Sequence, residues 1–180
     1  MRLNKLMKIL LLGFYLLATT LVASDDYVFK LTTSKGEPFN ITIDSKGDWH
    51  FEGIKNKVVL IDFFGTWCPP CKAEIPHLNV IREDLKKEFE IVGIDIGPRG
   101  GGVSDKKELA SFVKKFDIKY PVVTGAKTRE LFSGIRNLNT NGAVPFKIAF
   151  SKSGKYLKHY AGGQPQSILK DEMKYAATLK

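Results

Sequence analysis

The chain has 180 residues, 43% of them hydrophobic, and a formal net charge of +9. That length suits one domain with a sizeable core, and two cysteines are too few for a secreted scaffold stapled by disulfides. The excess charge lies in pairs such as Lys86-Lys87, Lys106-Lys107 and Lys114-Lys115, each beside acids in a helical pattern, so it reads as solvated surface; no aromatic-interleaved basic stripe argues for nucleic acid.

Residues 1–24 have the layout of a secretory signal peptide. Arg2, Lys5 and Lys8 form a basic start, Ile9 to Leu17 is nearly unbroken apolar sequence, and Leu21-Val22-Ala23-Ser24 ends in small residues. Even Ile9 to Val22 falls short of the ~20 residues that a spanning helix needs, which favours cleavage over an uncleaved N-terminal anchor. Ser24 stands where a lipoprotein would need a thiol. The domain is then 25–180.

Tyr27 to Thr33 and Phe39 to Ile43 read as two strands around a Gly-Glu-Pro turn, and Trp49 and Phe51 as cover for one edge of the core. Val58 to Phe64 is apolar on both faces, as in a strand with helices on each side. Ile75, Leu78, Ile81 and Leu85 recur at spacings of three and four, predicting a helix to about Glu88 with a kink at Pro76. Ile91 to Ile96 is the next buried strand, followed by a mobile loop from Gly97 to Ser104. Ser104 is positioned to cap a helix whose apolar face is Leu109, Phe112, Val113 and Phe116. Tyr120 to Val123 predicts a short strand, Thr128 to Phe132 a short helix, and Phe146 to Phe150 with Lys155 to Tyr160 a hairpin. Pro165 opens a last helix with Ile168, Leu169, Met173 and Tyr175 as its apolar positions. Alternating strands and helices closed by a hairpin give an α/β sandwich with a mixed central sheet.

Trp67-Cys68-Pro69-Pro70-Cys71 follows the buried strand directly, so the Cys-x-x-Cys pair falls at the start of a helix. Unpaired backbone N–H groups there favour thiolate over thiol, lowering a cysteine pKa from about 8.5 to between ~3.5 and ~7.5. A loop this small contributes on the order of 2 kcal/mol to stability in the chain-entropy model. The pair therefore reads as redox-active rather than structural, and export would place it where disulfides persist. Zinc is the chemical rival, with His77 as a third ligand, but His50 or His159 would have to come from elsewhere, and no second knuckle exists. Lys72 after Cys71 rules out the haem-attachment signature.

The segment Val59 to Pro76, Val-Leu-Ile-Asp-Phe-Phe-Gly-Thr-Trp-Cys-Pro-Pro-Cys-Lys-Ala-Glu-Ile-Pro, resembles the active-site segment of thioredoxin-fold proteins in the exported TlpA/ResA/CcmG branch. The resemblance implies a thioredoxin-like three-layer sandwich, with an N-terminal hairpin extension and a helical insertion near Asp105–Phe116. It implies that Cys68 is the exposed attacking thiolate and Cys71 the thiol that resolves the mixed disulfide. Cys71 then needs a proton acceptor. Asp62 matches the buried aspartate of thioredoxins and Glu74 the glutamate of the ResA-like proteins, and the choice between them stays open. Val144-Pro145 matches the family's cis-proline, where the Val144 backbone would pair with an extended client peptide. Trp67 would shape the docking surface.

The function implied is an extracytoplasmic thiol–disulfide oxidoreductase, in the bacterial periplasm or on the outer face of the cytoplasmic membrane. It would reduce disulfides in exported clients such as apocytochrome c, which places it in cytochrome c biogenesis. The resemblance implies no cofactor beyond the redox-active disulfide Cys68–Cys71, and no metal. Implied partners are client proteins with thiols or disulfides and a membrane thiol reductase as electron donor, with a membrane tether if the leader is retained. The alternatives are an oxidase or isomerase of exported proteins, and a binding module or chaperone on the same scaffold. Phe146 after the proline, the long approach Asn137 to Ala143 and the Gly97–Gly102 loop depart from the family pattern and bear on client choice.

Overall fold

A computed structural model describes residues 26–179; the leader read above as a signal peptide or anchor lies outside the described residues. The chain forms β1 (Tyr27–Thr33), β2 (Pro38–Ile43), β3 (Trp49–Phe51) and β4 (Val58–Phe64), then helix α1 (Pro69–Leu85) and β5 (Phe89–Asp95). Next come α2 (Lys106–Lys115), β6 (Val122–Thr124), α3 (Ala126–Gly134), β7 (Phe146–Phe150), β8 (Tyr156–Ala161) and α4 (Gln166–Ala176). All eight strands share one mixed sheet in the order β3-β2-β1-β6-β5-β4-β7-β8. Strand β4 runs parallel to β5 and antiparallel to β7, so it sits inside the sheet with a neighbour on each side.

Side chains alternate across a strand, and β4 shows the consequence. Val58, Leu60 and Phe64 pack with Leu78 and Ile81 of α1, Leu109 and Phe112 of α2, and Leu169 and Met173 of α4. Val59, Ile61 and Phe63 face the other way, toward Leu131 of α3 and Phe29 and Ile41 of β1 and β2. Every position of β4 is buried, which is why it reads as a continuous apolar run. The exception by residue type is Asp62, on the face beneath α1.

Helix α1 starts where the sequence places it, because Pro69 and Pro70 occupy its first two positions, where no intrahelical N–H is needed. It continues past Pro76 to Leu85, shorter than the predicted end near Glu88. Cys71, Glu74, Ile75, Leu78 and Ile81 form its buried stripe. Helix α2 is capped by Asp105 rather than Ser104: the Asp105 carboxylate accepts from the Lys107 and Glu108 N–H groups at 2.9 and 3.0 Å, satisfying two of the free amides of the first turn. In α4 the buried positions are Leu169, Met173 and Ala176, whereas Ile168 and Tyr175 point to solvent. Those two lie on the flank of the helix turned away from the sheet.

The N-terminal hairpin is an integral part of the sheet. Strand β1 pairs antiparallel with β6 through Thr32 and Thr33, and β3 adds an edge that the sequence reading treats only as aromatic cover. The sheet curls enough for that edge to meet the β7–β8 turn. There the Trp49 N–H donates to the Gly154 carbonyl at 2.8 Å, and the Trp49 ring stacks on Phe150 at 4.8 Å between centroids. Gly154 has φ +91°, and a Cβ there would collide with the Trp49 backbone. Gly154→Ala is therefore expected to cost about 1–3 kcal/mol, from backbone strain and the lost fit to β3. Urea denaturation checks this, and an unchanged midpoint would mean that the contact between β3 and the turn contributes nothing.

Candidate functional site: the cysteine pair and the charges beneath it

Cys68 and Cys71 are joined, with an S–S distance of 2.09 Å and Cα atoms 5.3 Å apart. Cys68 is the N-cap of α1, with an extended backbone, and its Sγ accepts from the Cys71 N–H at 3.2 Å. Since Pro69 and Pro70 carry no N–H, this amide is the first in the helix with a proton to donate. A thiolate at Cys68 would take it as a charge-assisted bond.

The expected exposure of Cys68 is not what the folded chain shows. Cys68 is 2% exposed and Cys71 3%, so both sulfurs of the disulfide are covered. The cover comes from the turn ahead of β7, the strand next to β4 in the sheet. The Val144–Pro145 bond is cis, and the Val144 carbonyl oxygen lies 3.6 Å from Cys68 Sγ. With no proton on a disulfide sulfur, this is packing rather than a hydrogen bond. Three hydrogen bonds fix the turn. Asn139, buried in the long approach to the proline, donates to the Ala143 carbonyl at 2.9 Å and accepts from its N–H at 3.1 Å. Beyond the turn, the Pro145 carbonyl accepts from the Gly162 N–H at 2.9 Å.

Trp67 packs against both core layers at the rim of the site. Its ring lies over Gly65, where a Cβ would come within 2.6 Å of it. The indole N–H donates to the Gly97 carbonyl at 2.9 Å, and the Arg99 guanidinium stacks 4.7 Å from the ring centroid. Arg129 of α3 donates to the carbonyls of Ile96 and Pro98 at 3.0 and 2.8 Å. The segment expected to be mobile is thus pinned at its start from two sides. The glycine-rich spelling hid this, because the restraints come from distant side chains bonding to its backbone.

Beneath the helix start lies a buried cluster of charge. Asp62 on β4 stands opposite Lys147 on β7 in the antiparallel register. Lys147 Nζ is 2.7 Å from Glu74 Oε2 of α1 and donates to the Gly162 carbonyl at 3.1 Å. Glu74 Oε1 accepts from the Gln164 N–H at 3.0 Å, and each acid keeps one oxygen, Glu74 Oε2 and Asp62 Oδ1, without a hydrogen-bond partner among the described residues. Tyr120 closes the other side, against Gly93, the parallel-register neighbour of Asp62. Both sequence-nominated acids therefore gather under the cysteine-bearing helix, together with a lysine that sequence reasoning missed. The signal for it was one cation inside Phe-Lys-Ile-Ala-Phe, on the alternation step that faces Asp62. The histidines weighed as zinc ligands disperse: His50 pairs with Asp44 at 2.9 Å, His159 shares a hydrogen bond with the Tyr156 hydroxyl at 2.7 Å, and His77 is exposed.

Burial pushes the Asp62 carboxyl up from 3.8 to about 7; the Lys147 charge pulls it down and the Glu74 charge pushes it further up. Burial, then the Asp62 and Glu74 charges, raise the Tyr120 phenol well above its ordinary value. A carboxyl whose pKa is raised on folding holds a proton that the unfolded chain has released. Its contribution is favourable below the unfolded pKa, and stability is lost as pH rises from about 4 through about 7. Relative to the wild type, Asp62→Asn should therefore gain stability between pH 4 and pH 8, on the order of 4 kcal/mol at most. Urea denaturation of both oxidised proteins at the two pH values tests this; an equal difference at both would show that Asp62 does not titrate in this range.

Residues 44–179 match the Redoxin family. A thiol-disulfide oxidoreductase ResA of Bacillus cereus is 30% identical over 144 residues, which cover 78% of this chain and 76% of that protein. The crystal structure of a thiol:disulfide interchange protein of the thioredoxin family from Chlorobium tepidum TLS aligns with a TM-score of 0.65 at 25% identity, covering 83% of this chain and 93% of that one. A secreted Mycobacterium tuberculosis disulfide oxidoreductase shares the fold, with a TM-score of 0.56 at 21% identity over 82% of this chain and 95% of that one. With a cysteine pair closed at a helix N-terminus beside a cis-proline turn, the chain belongs to the Redoxin family and is a thioredoxin-fold protein thiol–disulfide oxidoreductase of the ResA, CcmG and TlpA type.

Proposed function

We propose that this oxidoreductase works outside the cytoplasm as a reductant of disulfides in exported client proteins, apocytochrome c among them, and is recharged by a membrane thiol reductase. The observation that carries the direction is the double proline at the start of α1. A Cys-x-x-Cys protein is a strong oxidant when its reduced form is stabilised. Here one amide, that of Cys71, donates to Cys68 Sγ, and the two preceding positions have no proton to offer. The two buried carboxylates nearby further disfavour a second anion. Both features weaken thiolate stabilisation and so favour electron donation. The signal-like leader supports work on the exported side.

In the reductive half-reaction the Cys68 thiolate attacks a client sulfur. A Cys68–client disulfide forms, and the other client sulfur leaves with the electron pair. Cys71 then loses its proton to a buried carboxylate and attacks Cys68 Sγ. The Cys68–Cys71 bond forms, the mixed disulfide breaks, and the released client thiolate takes up a proton. The client gains two electrons and the protein dithiol loses them. Val144 and Pro145 would hold the client strand against Cys68, with Trp67 as the side wall.

Equilibration of the full chain with dithiothreitol or glutathione buffers should give a potential near the thioredoxin end of the range, about −270 mV. A value near about −120 mV would make the protein an oxidant. Cys71→Ser should accumulate a Cys68–client mixed disulfide, detectable by non-reducing electrophoresis, and Cys68→Ser should lose exchange. Efficient turnover by either variant would overturn the assigned order of attack.

A further inference from the structure

The chain between β5 and β6 lays α2 beside the start of α1, and an open groove of about 440 Å³ lies between the two helices. Its floor is Phe112 and Phe116, whose ring centroids are 4.7 Å apart, and its rim carries Lys72, Lys107 and Lys115. Lys107 and Lys115 stand about 12 Å apart along the axis of α2. Lys72 follows Cys71 in the first turn of α1, and Thr66, in the connection that leads to Cys68, closes the near end. The groove therefore opens beside the disulfide, on the β5 flank of β4. The Val144–Pro145 turn reaches Cys68 from the β7 flank.

Elsewhere Lys86, Lys119, Lys127, Lys158 and Lys170 are each matched by an acid at ion-pair distance. At the groove none of the three lysines is paired with an acid among the described residues, and Glu108 is the only carboxylate in the lining. Cations gathered along a cleft with too few acids of their own attract anions from outside. The floor narrows the choice of anion. Phe112 is 8% exposed and Phe116 half-buried, so the rings are recessed rather than projecting. A bilayer takes up apolar groups that project into it; a recessed floor between cations admits a side chain from a polypeptide. An aromatic face is negative and turns a carboxylate away, so the rings take an apolar side chain and the rim takes the acids around it. We infer that the groove receives an acidic segment of the client, with carboxylates on Lys72, Lys107 and Lys115 and an apolar side chain between them on Phe112 and Phe116. The groove adjoins Cys68, so that segment and the client's reactive cysteine belong to one short stretch of chain. This rests on the exchange reading above and names the class of client it favours, one with acids beside its reactive cysteine.

Two synthetic peptides test this. Both carry a cysteine and a nearby leucine, with glutamates around the leucine in one and glutamines in the other, and each is oxidised to its symmetric disulfide. Reduced full chain is mixed with each at neutral pH and quenched in acid at intervals, and the released peptide thiol is measured by chromatography. Dividing each rate by that of dithiothreitol with the same peptide removes the effect of the charges on the peptide's own sulfur. At low ionic strength the glutamate peptide should react about tenfold faster than the glutamine peptide, and in about 0.5 M salt the two should converge. The ratio of the two rates is the readout, and it does not depend on how much of a variant is folded. Lys107→Glu/Lys115→Glu should bring the ratio to about one or below. Lys55→Glu/Lys152→Glu makes the same change in net charge at the opposite end of the sheet, ahead of β4 and in the β7–β8 turn, and should keep it. Equal wild-type rates, or a ratio that survives the groove variant, overturn the inference. So does a ratio lost equally in both variants, because it then traces to net charge alone. Equal wild-type rates with groove-dependent binding to vesicles of anionic phospholipid would give the groove to a membrane surface, and likewise overturn it. Failure of the exchange reading, which would take this inference with it, looks different: neither peptide would release thiol with any variant.

Discussion

The transition from β4 to α1 is the constraint around which the rest of the molecule is arranged. Seven consecutive buried residues fix the strand inside the sheet, so the chain emerges from it at one place and in one direction. Gly65 lets the Trp67 ring fold back over the backbone, Cys68 caps the helix, and the paired prolines start it without wasting an amide. Neither sulfur can move far unless the strand or the helix moves with it. The cis-proline turn reaches the same point from β7, which is bonded edge to edge with β4. The disulfide is therefore held by two strands and a helix that share one hydrogen-bonded frame.

That frame also explains why charge can be buried there. Asp62 and Lys147 are register partners, so the sheet itself sets their separation, and α1 brings Glu74 down onto them. Each member alone would be a liability in an apolar layer; together they make two acids and one base, a group with one negative charge in excess. A site with such an excess is one where a proton can come and go while the fold stays intact. Tyr120, raised beyond any ordinary titration, stays neutral and seals the cluster from the Gly93 side.

Much of this was legible in the sequence, and the parts that were not share a physical cause. The Val58 to Phe64 run, the Trp-Cys-Pro-Pro-Cys segment and the 3–4 spacing after it are local signals, and they placed β4, the sulfur pair and α1 correctly. Asp62 and Glu74 could be nominated because each lies within a few residues of the cysteines. Lys147 could not be: its meaning depends on a strand pairing across 85 positions of chain, and a lysine in a hairpin strand reads as solvent-facing. The anchoring of the start of the Gly97 segment was hidden for the same reason, since Arg129 and Trp67 hold it through bonds to its backbone that composition cannot show. Cap positions and the exposed flank of α4 were off by a residue or a face, where competing donors and the exact direction of the helix axis decide.

The tethering of Trp67 has a consequence for the rim of the cysteine site. Its indole N–H is already committed to the Gly97 carbonyl, its face to Arg99, and the loop behind it to Arg129. A side chain so braced has lost much of its rotamer freedom during folding, before any encounter. In the reading proposed above, where Trp67 is the side wall for a client, that wall need not be frozen again, so little conformational entropy is lost on the protein's side of the contact. A rigid wall also cannot mould itself to every comer. Discrimination among peptides must then come from how well each fits a shape that is already set, and release after exchange does not have to wait for that shape to relax.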